Sequence, residues 1–141
     1  MNSILEIKRL RSDATPPGRS HAGDAGLDLF SVTDCRLSSR EPVRVSTGIA
    51  MAVPQGFVGL ICDRSSMGAK GIRTLGGVVD AGYRGEVQVI LVNLRDEPFE
   101  IRKGDKIAQM LVLPVNLCAV EEVSELDVTS RAASGFGSTG R

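Results

Sequence analysis

Between residues 43 and 114 the chain is cut into short β-branched runs by turn residues, a spacing that leaves little room for anything but a β architecture. Val43, Val45, Ile49, Met51 and Val53 fall on mostly odd positions, which lays them on one face of an extended segment ending at Pro54-Gln55-Gly56. Residues 57–62 form a compact apolar run. Residues 86–93 alternate Val87, Val89 and Leu91 against Gln88, and Ile90 and Val92 are apolar as well, so both faces of that strand are expected to be covered. Turns at Asp96-Glu97-Pro98 and Lys103-Gly104-Asp105 precede a last apolar run over residues 106–115. This pattern predicts an all-β sandwich, jelly roll or barrel.

Composition narrows the function classes. The chain has 141 residues, 42% hydrophobic, enough for one domain with a core. Aromatics are only 4%, with a single Tyr and no Trp, whereas Gly reaches 16, a balance that disfavours a helical bundle. Lys+Arg 17 equals Asp+Glu 17, which argues against nucleic acid or an anionic membrane as a partner, since both are held by an excess of basic side chains. An anionic ligand would have to be small and met locally. Cys35, Cys62 and Cys118 are widely spaced and form no CxxC pair, so neither a disulfide framework nor a zinc site is expected, and they read as small apolar fillers in a reducing compartment. No apolar stretch approaches a signal peptide or a membrane span, and the expected location is cytoplasmic.

Two stretches break the strand pattern. Gly68, Gly71, Gly76, Gly77, Gly82 and Gly85 crowd the region from Ser65 past Tyr83, more glycine than a strand tolerates, and predict loop, short helix and tight hairpin. From Ser124 onward the chain ends in SRAASGFGSTGR and offers little to bury except Phe136, so residues 1–123 are expected to form the folded domain and residues 124–141 a flexible tail.

Three constellations carry possible chemistry. The tail combines the cations Arg131 and Arg141, the Phe136 ring, and glycines around Ser138 and Thr139 whose N–H groups suit an anion; composition alone favours an ordinary Gly/Ser-rich terminus. In DRSSMGAKG, residues 63–71, Arg64, Ser65 and Ser66 stand where a short helix would start, as a phosphate seat or as a plain cap with a solvated arginine. In residues 76–86 Asp80 lies between glycine-flanked apolar pairs and serves either a turn or general-base chemistry. His21 has no assigned role.

With these residues in view, the sequence resembles the trimeric deoxyuridine triphosphate nucleotidohydrolases (dUTPases). AGLDL at residues 25–29, DRSSMGAKG at 63–71, GVVDAGYRGEV at 77–87, GDKIAQM at 104–110 and RAASGFGSTG at 131–140 are similar to the family's five motifs, in order and at family spacing. The resemblance implies a β jelly roll, a homotrimer with sites at subunit interfaces, and Mg²⁺-dependent hydrolysis of dUTP to dUMP and pyrophosphate by water attack on the α-phosphorus. Such an activity limits uracil in DNA and supplies dUMP for dTMP synthesis. It implies Asp80 as the base that deprotonates the water, and Asp28 as the holder of Mg²⁺ through its water shell. Gly77, Val78, Val79, Thr74 and Gln88 are implied at the uracil, with Tyr83 beneath the deoxyribose. Arg64, Ser65, Ser66 and Gln109 are implied at the phosphates. In the tail, Arg131, Gly137, Ser138 and Thr139 would reach the γ-phosphate while Phe136 stacks on the base, so that the tail becomes a closing lid.

The chain departs from the family's usual residues at three places: Asp63 where Pro is usual, Thr74 where many bacterial members have Asn, and Ala132 where Gly is usual. Asp63 brings a negative charge beside the phosphate seat that needs a cation. Two rival readings bear on function. A deoxycytidine triphosphate deaminase shares the fold, but its relatives carry an Arg and a Glu where this chain has Ala69 and Ile90. A nucleotide-sensing regulatory protein on the same scaffold would not need Asp80 as a base.

Overall fold

The computed structural model describes residues 4–140, and the expected strands appear in it as read. The four long runs are β4 (Val43–Ala52), β5 (Phe57–Cys62), β8 (Glu86–Asn93) and β10 (Lys106–Pro114). Shorter strands complete the set: β1 (Glu6–Arg9), β2 (Leu27–Phe30), β3 (Cys35–Leu37), β6 (Ile72–Leu75), β7 (Val78–Val79) and β9 (Phe99–Ile101). One short helix, α1 (Ser65–Ala69), follows β5.

All pairings are antiparallel within three sheets. One sheet has the order β1-β4-β8-β6, a second β2-β10-β5-β7, and a ribbon pairs β3 with β9. Neither four-stranded sheet closes on itself, so the jelly-roll expectation is met as a sandwich and not as a closed barrel. The core lies between them. Val45, Ile49, Met51, Val87, Val89 and Leu91 from the first sheet meet Leu29, Ile61, Ile107 and Met110 from the second in one buried cluster. Each such side chain contributes roughly 1.5–3 kcal/mol on burial.

Two details differ from the sequence expectation. The period of two along β4 is broken where its register against β8 shifts between Ser46 and Ala50, and Gly48 and Ala50 are buried there alongside the odd-numbered residues. The Thr47 hydroxyl is satisfied by the Val87 carbonyl at 2.5 Å. The glycine-rich stretch also holds more sheet than expected. Ile72–Leu75 is a strand, because its residues between Gly71 and Gly76 are β-branched or apolar enough to add to the edge of β8. After Pro114 every residue through 134 is exposed.

Candidate active site

Alternation along β2 sends Leu27 and Leu29 into the core and turns Asp28 away from it, yet Asp28 is only 9% exposed. A bare carboxylate at that depth would be costly, and the surrounding residues compensate it. Arg64 Nε lies 3.1 Å from Asp28 Oδ1, Lys106 Nζ lies 2.8 Å from Oδ2, and the Ser20 hydroxyl donates to Oδ2 at 3.1 Å. Burial pushes the Asp28 carboxyl up, but the bonds from Lys106 and Ser20 and the charges of Arg64 and Lys106 outweigh it and hold the group below the ordinary range. Asp28 is therefore ionised at neutral pH.

Beside this cluster, Arg64 caps α1 through its backbone alone, leaving the helix start without a side-chain cap. Ser65 and Ser66 are exposed there, and the Ser66 hydroxyl accepts from Arg64 Nη1 at 3.3 Å. Arg64, Ser65, Ser66, Gln109 and Asp28 line an open cavity of about 570 Å³ together with the loop at Asp24. Gln109 is fixed by its own bond to the Asp63 carbonyl at 2.8 Å.

A second cavity, of about 270 Å³, is walled by the hairpin: Gly77, Val78, Val79, Asp80 and Tyr83, with Gln88 behind. Backbone shape makes this wall. Gly77 has φ 115°, and a Cβ there would stand 2.9 Å from the Ile61 carbonyl, so only glycine lets the loop press against β5. The Gly77 carbonyl accepts from Ile61 N–H at 2.8 Å, and β7 then pairs with β5, burying Val79 and leaving Val78 67% exposed.

Asp80 divides its two possible jobs between its own groups. Its main-chain carbonyl accepts from Tyr83 N–H at 3.0 Å and closes the turn. Among the described residues no hydrogen bond or ion pair engages its carboxylate, and Asp80 is exposed and lines the cavity. Tyr83 is 46% exposed, not a core residue; its hydroxyl donates to the Glu86 carbonyl at 2.9 Å, and its ring occupies the space a side chain at Gly85 would need. Gln88 donates to Glu86 Oε2 at 3.3 Å and to the Ser46 hydroxyl at 3.4 Å, while Glu86 Oε1 accepts Gly48 N–H at 2.8 Å.

The expected site residues thus fall into separate groups. The two cavities share no lining residue. Thr74, expected at the base, lines neither of them, because its N–H and hydroxyl both donate to Asp63 at 2.6 and 2.9 Å. Asp63 finds its cation in Arg73 at 2.8 Å, not in Arg64. Nor does the tail reach either cavity in the single chain: Arg131 donates to the Ser134 carbonyl at 3.0 Å, and Phe136, Gly137, Ser138 and Thr139 are exposed. Ala132 sits at φ 45°, a left-handed conformation that favours the family's usual glycine. Arg141 lies outside the described residues.

Lys106, Ser20, Glu86 and Arg44, which also lines the second cavity, are site residues that sequence reasoning passed over. Lys106 and Glu86 stand inside two of the quoted motifs, which was the available signal; Ser20 and Arg44 carry none.

For a divalent metal the residues fit one kind of site only. Among the described residues no three His, Cys, Asp or Glu side chains converge, so no dedicated cage exists. An ionised Asp28, with Asp24 nearby in the same cavity, fits a hard ion such as Mg²⁺ that keeps its own water and rests mainly on ligand phosphates.

A cation-lined cavity with exposed serines, and a separate backbone-walled cavity lined by an aspartate whose carboxylate is unpaired among the described residues, suit a β-sandwich enzyme that takes a small phosphorylated substrate. The comparisons specify which. The dUTPase family model matches residues 12–140. A deoxyuridine 5'-triphosphate nucleotidohydrolase from Nocardia farcinica is 49% identical over 98% of this chain and 86% of its own length, and one from Corynebacterium glutamicum is 45% identical over 99% and 96%. Among solved structures, a mutant dUTPase of Staphylococcus bacteriophage 80alpha with dUpNHpp superposes with TM-score 0.92 at 28% identity, covering 99% of this chain and 100% of that one. A mutant dUTPase from phage phi11 of S. aureus, described with a coordinated structural Mg(II) ion, gives TM-score 0.81 at 27% identity over 87% and 98%. The chain belongs to the dUTPase family.

Proposed function

We infer that the chain, a hydrolase that converts dUTP to dUMP, does so by water attack at the α-phosphorus with Asp80 as the base. The observation that carries this reading is the free Asp80 carboxylate at the mouth of the hairpin cavity. Asp80 takes one proton of the water, the oxygen bonds to the α-phosphorus, and the bond to the bridging oxygen breaks to release pyrophosphate. Arg64, Ser65, Ser66 and Gln109 hold the phosphate oxygens in line, which lowers the barrier by positioning and charge. Asp28 would hold Mg²⁺ through its water shell, and the ion would supply neutralisation of the triphosphate and leaving-group charge.

The hairpin selects the base. Backbone groups from Gly77 to Val79 present a fixed donor and acceptor pattern suited to uracil, and an edge left unpaired costs discrimination on the order of 10⁴-fold. Tyr83 lies where the sugar would rest and leaves no space for a 2′-hydroxyl. Gln88 is tethered by Glu86 behind the same wall.

A homotrimer is supported by two features. The phosphate cavity and hairpin cavity share no residue, which is compatible with one complete site drawing them from different copies. Leu117, Val120, Val123, Leu126 and Val128 are 51–100% exposed along the extended arm, apolar surface that a neighbouring copy would cover. The tail beyond it then closes as a lid: Phe136 stacks on the base, worth roughly 1–3 kcal/mol by analogy with single-stranded nucleic acids, and Arg131, Gly137, Ser138 and Thr139 meet the γ-phosphate. The deaminase alternative loses its acid-base group, because Ile90 puts an apolar side chain in the cavity and both Glu86 oxygens are engaged. The three unpaired thiols are compatible with a reducing cytoplasm, and among the described residues no helix is long and apolar enough to cross a membrane.

Pyrophosphate release with Mg²⁺ over dUTP, dCTP, dTTP and UTP tests the reading. Strong preference for dUTP is expected; preference for any other nucleotide overturns the substrate assignment.

A further inference from the structure

We propose that Asp63 is a positioning residue that ties this chain's phosphate cavity to its own hairpin, its main-chain carbonyl holding Gln109 on the first side and its carboxylate holding Thr74 on the second. The proposal rests on the assignment of the two cavities given above. Asp63 directly follows β5 in one sheet, whereas Thr74 lies in β6, the edge strand of the other. Paired with Leu91 on one side, β6 turns its remaining amides to an edge that no strand covers. Asp63 Oδ1 caps that edge, accepting both the N–H and the hydroxyl of Thr74 at 2.6 and 2.9 Å, and Oδ2 accepts Arg73 Nε at 2.8 Å.

The Arg73 bond is exposed and contributes little. The Thr74 bonds are part-buried and end on a charged acceptor, the stronger class of hydrogen bond. Burial pushes the Asp63 carboxyl up, but the Thr74 and Arg73 bonds bring it below the ordinary range, so the acceptor is charged at neutral pH.

From this clasp two short paths lead to the chemistry. The Asp63 carbonyl receives Gln109 Nε2, and the next three residues are Arg64, Ser65 and Ser66. On the other side Thr74 stands two residues before Gly76, where the hairpin carrying Asp80 begins. In this chain the two positions bond to each other directly.

The test uses the full chain and reads kcat and KM for dUTP, the melting temperature, and affinity for two probes: inorganic pyrophosphate for the phosphate cavity and deoxyuridine for the hairpin. Asp63→Ala is expected to lower kcat/KM about 10-fold, in line with loss of a charge-assisted hydrogen bond, and to weaken both probes. Thr74→Val should lose roughly 3-fold and Thr74→Ser stay close to the parent, since serine keeps the hydroxyl. The double variant Asp63→Ala/Thr74→Val should be no worse than Asp63→Ala alone, as expected for two ends of one interaction. If Asp63→Ala does not fold, Asp63→Asn keeps one acceptor and the shape, and an intermediate loss in both probes is expected. Multiplicative losses, weakening of one probe only, or a lower melting temperature with parental kcat/KM would each overturn the proposal. None of these outcomes touches the substrate assignment, which stands or falls on the parent chain's nucleotide preference.

Discussion

The two cavities are built on opposite terms. In the phosphate cavity the charged groups are already partnered: Asp28 holds Arg64 and Lys106, and Gln109 is tied to Asp63. In the hairpin cavity the decisive side chains are exposed or unpaired, with Asp80 free and Val78 and Tyr83 facing outward, while the backbone beneath them is pinned to β5. A site for a triphosphate benefits from preorganised cations, because reorienting them on binding would cost affinity. A catalytic base benefits from the reverse, since a carboxylate already holding two donors is a poor proton acceptor.

The largest test of that contrast is Asp80→Asn. It should reduce turnover by about 10²–10⁴-fold, the span of general-base catalysis, while affinity for a non-hydrolysable dUTP analogue stays near the parent value. A variant that keeps most of its rate would place the base elsewhere. Deleting the residues after Val128 comes next. Among the described residues every hydrogen bond formed beyond Val128 stays within the tail, so thermal melting should not change. Turnover should fall about 10²-fold, the upper range of what stacking on Phe136 supplies. Full activity after truncation would exclude the lid.

Tyr83→Ala probes the hairpin cavity alone. Discrimination between dUTP and UTP should relax by about 10-fold, within the range for a contact that excludes one small group, and an unchanged ratio would remove Tyr83 from sugar selection. The smallest effect concerns the phosphate cavity and its charge state. The carboxyls of Asp28 and Asp63 are held below the ordinary 3.8, so the native state binds fewer protons than the unfolded chain just under that value. Stability should then be full above about pH 5 and fall as pH drops below about 4, through the lowered folded-state values. Asp28→Asn should lower the melting temperature by several degrees at neutral pH and flatten the acid fall, measured by calorimetry from about pH 7 to about pH 3. An unaltered acid slope would show that Asp28 is not the group that titrates.

Much of this was legible along the chain. The runs at 57–62 and 86–93 coincide with β5 and β8, because a covered strand needs a continuous apolar or alternating pattern and turn residues to end it. The positions of Asp80 and Tyr83 were readable from GVVDAGYRGEV at 77–87, where the glycines betray a backbone forced into shapes other residues resist. What escaped depended on distance in space. Strand β6 hid among glycines because its pairing with β8 lies some way off in the chain, and edge pairing leaves a weak local signature. Ser20 and Lys106 stand far apart in sequence, and only folding places both on one carboxylate. Thr74 was placed at the base by the resemblance alone, whereas the fold gives its two donors to Asp63.

By itself, then, the sequence determined the β class, the hairpin and the identity of the groups able to do chemistry, because periodicity and backbone freedom are local properties of the chain. The tertiary structure decided which of those groups are free and which are held. That Asp28 is bound to two cations, Asp63 to Thr74, and the Asp80 carboxylate to no side chain among the described residues follows from how two sheets pack, and no spacing along one strand encodes a meeting between residues 46 positions apart such as Gln109 and Asp63.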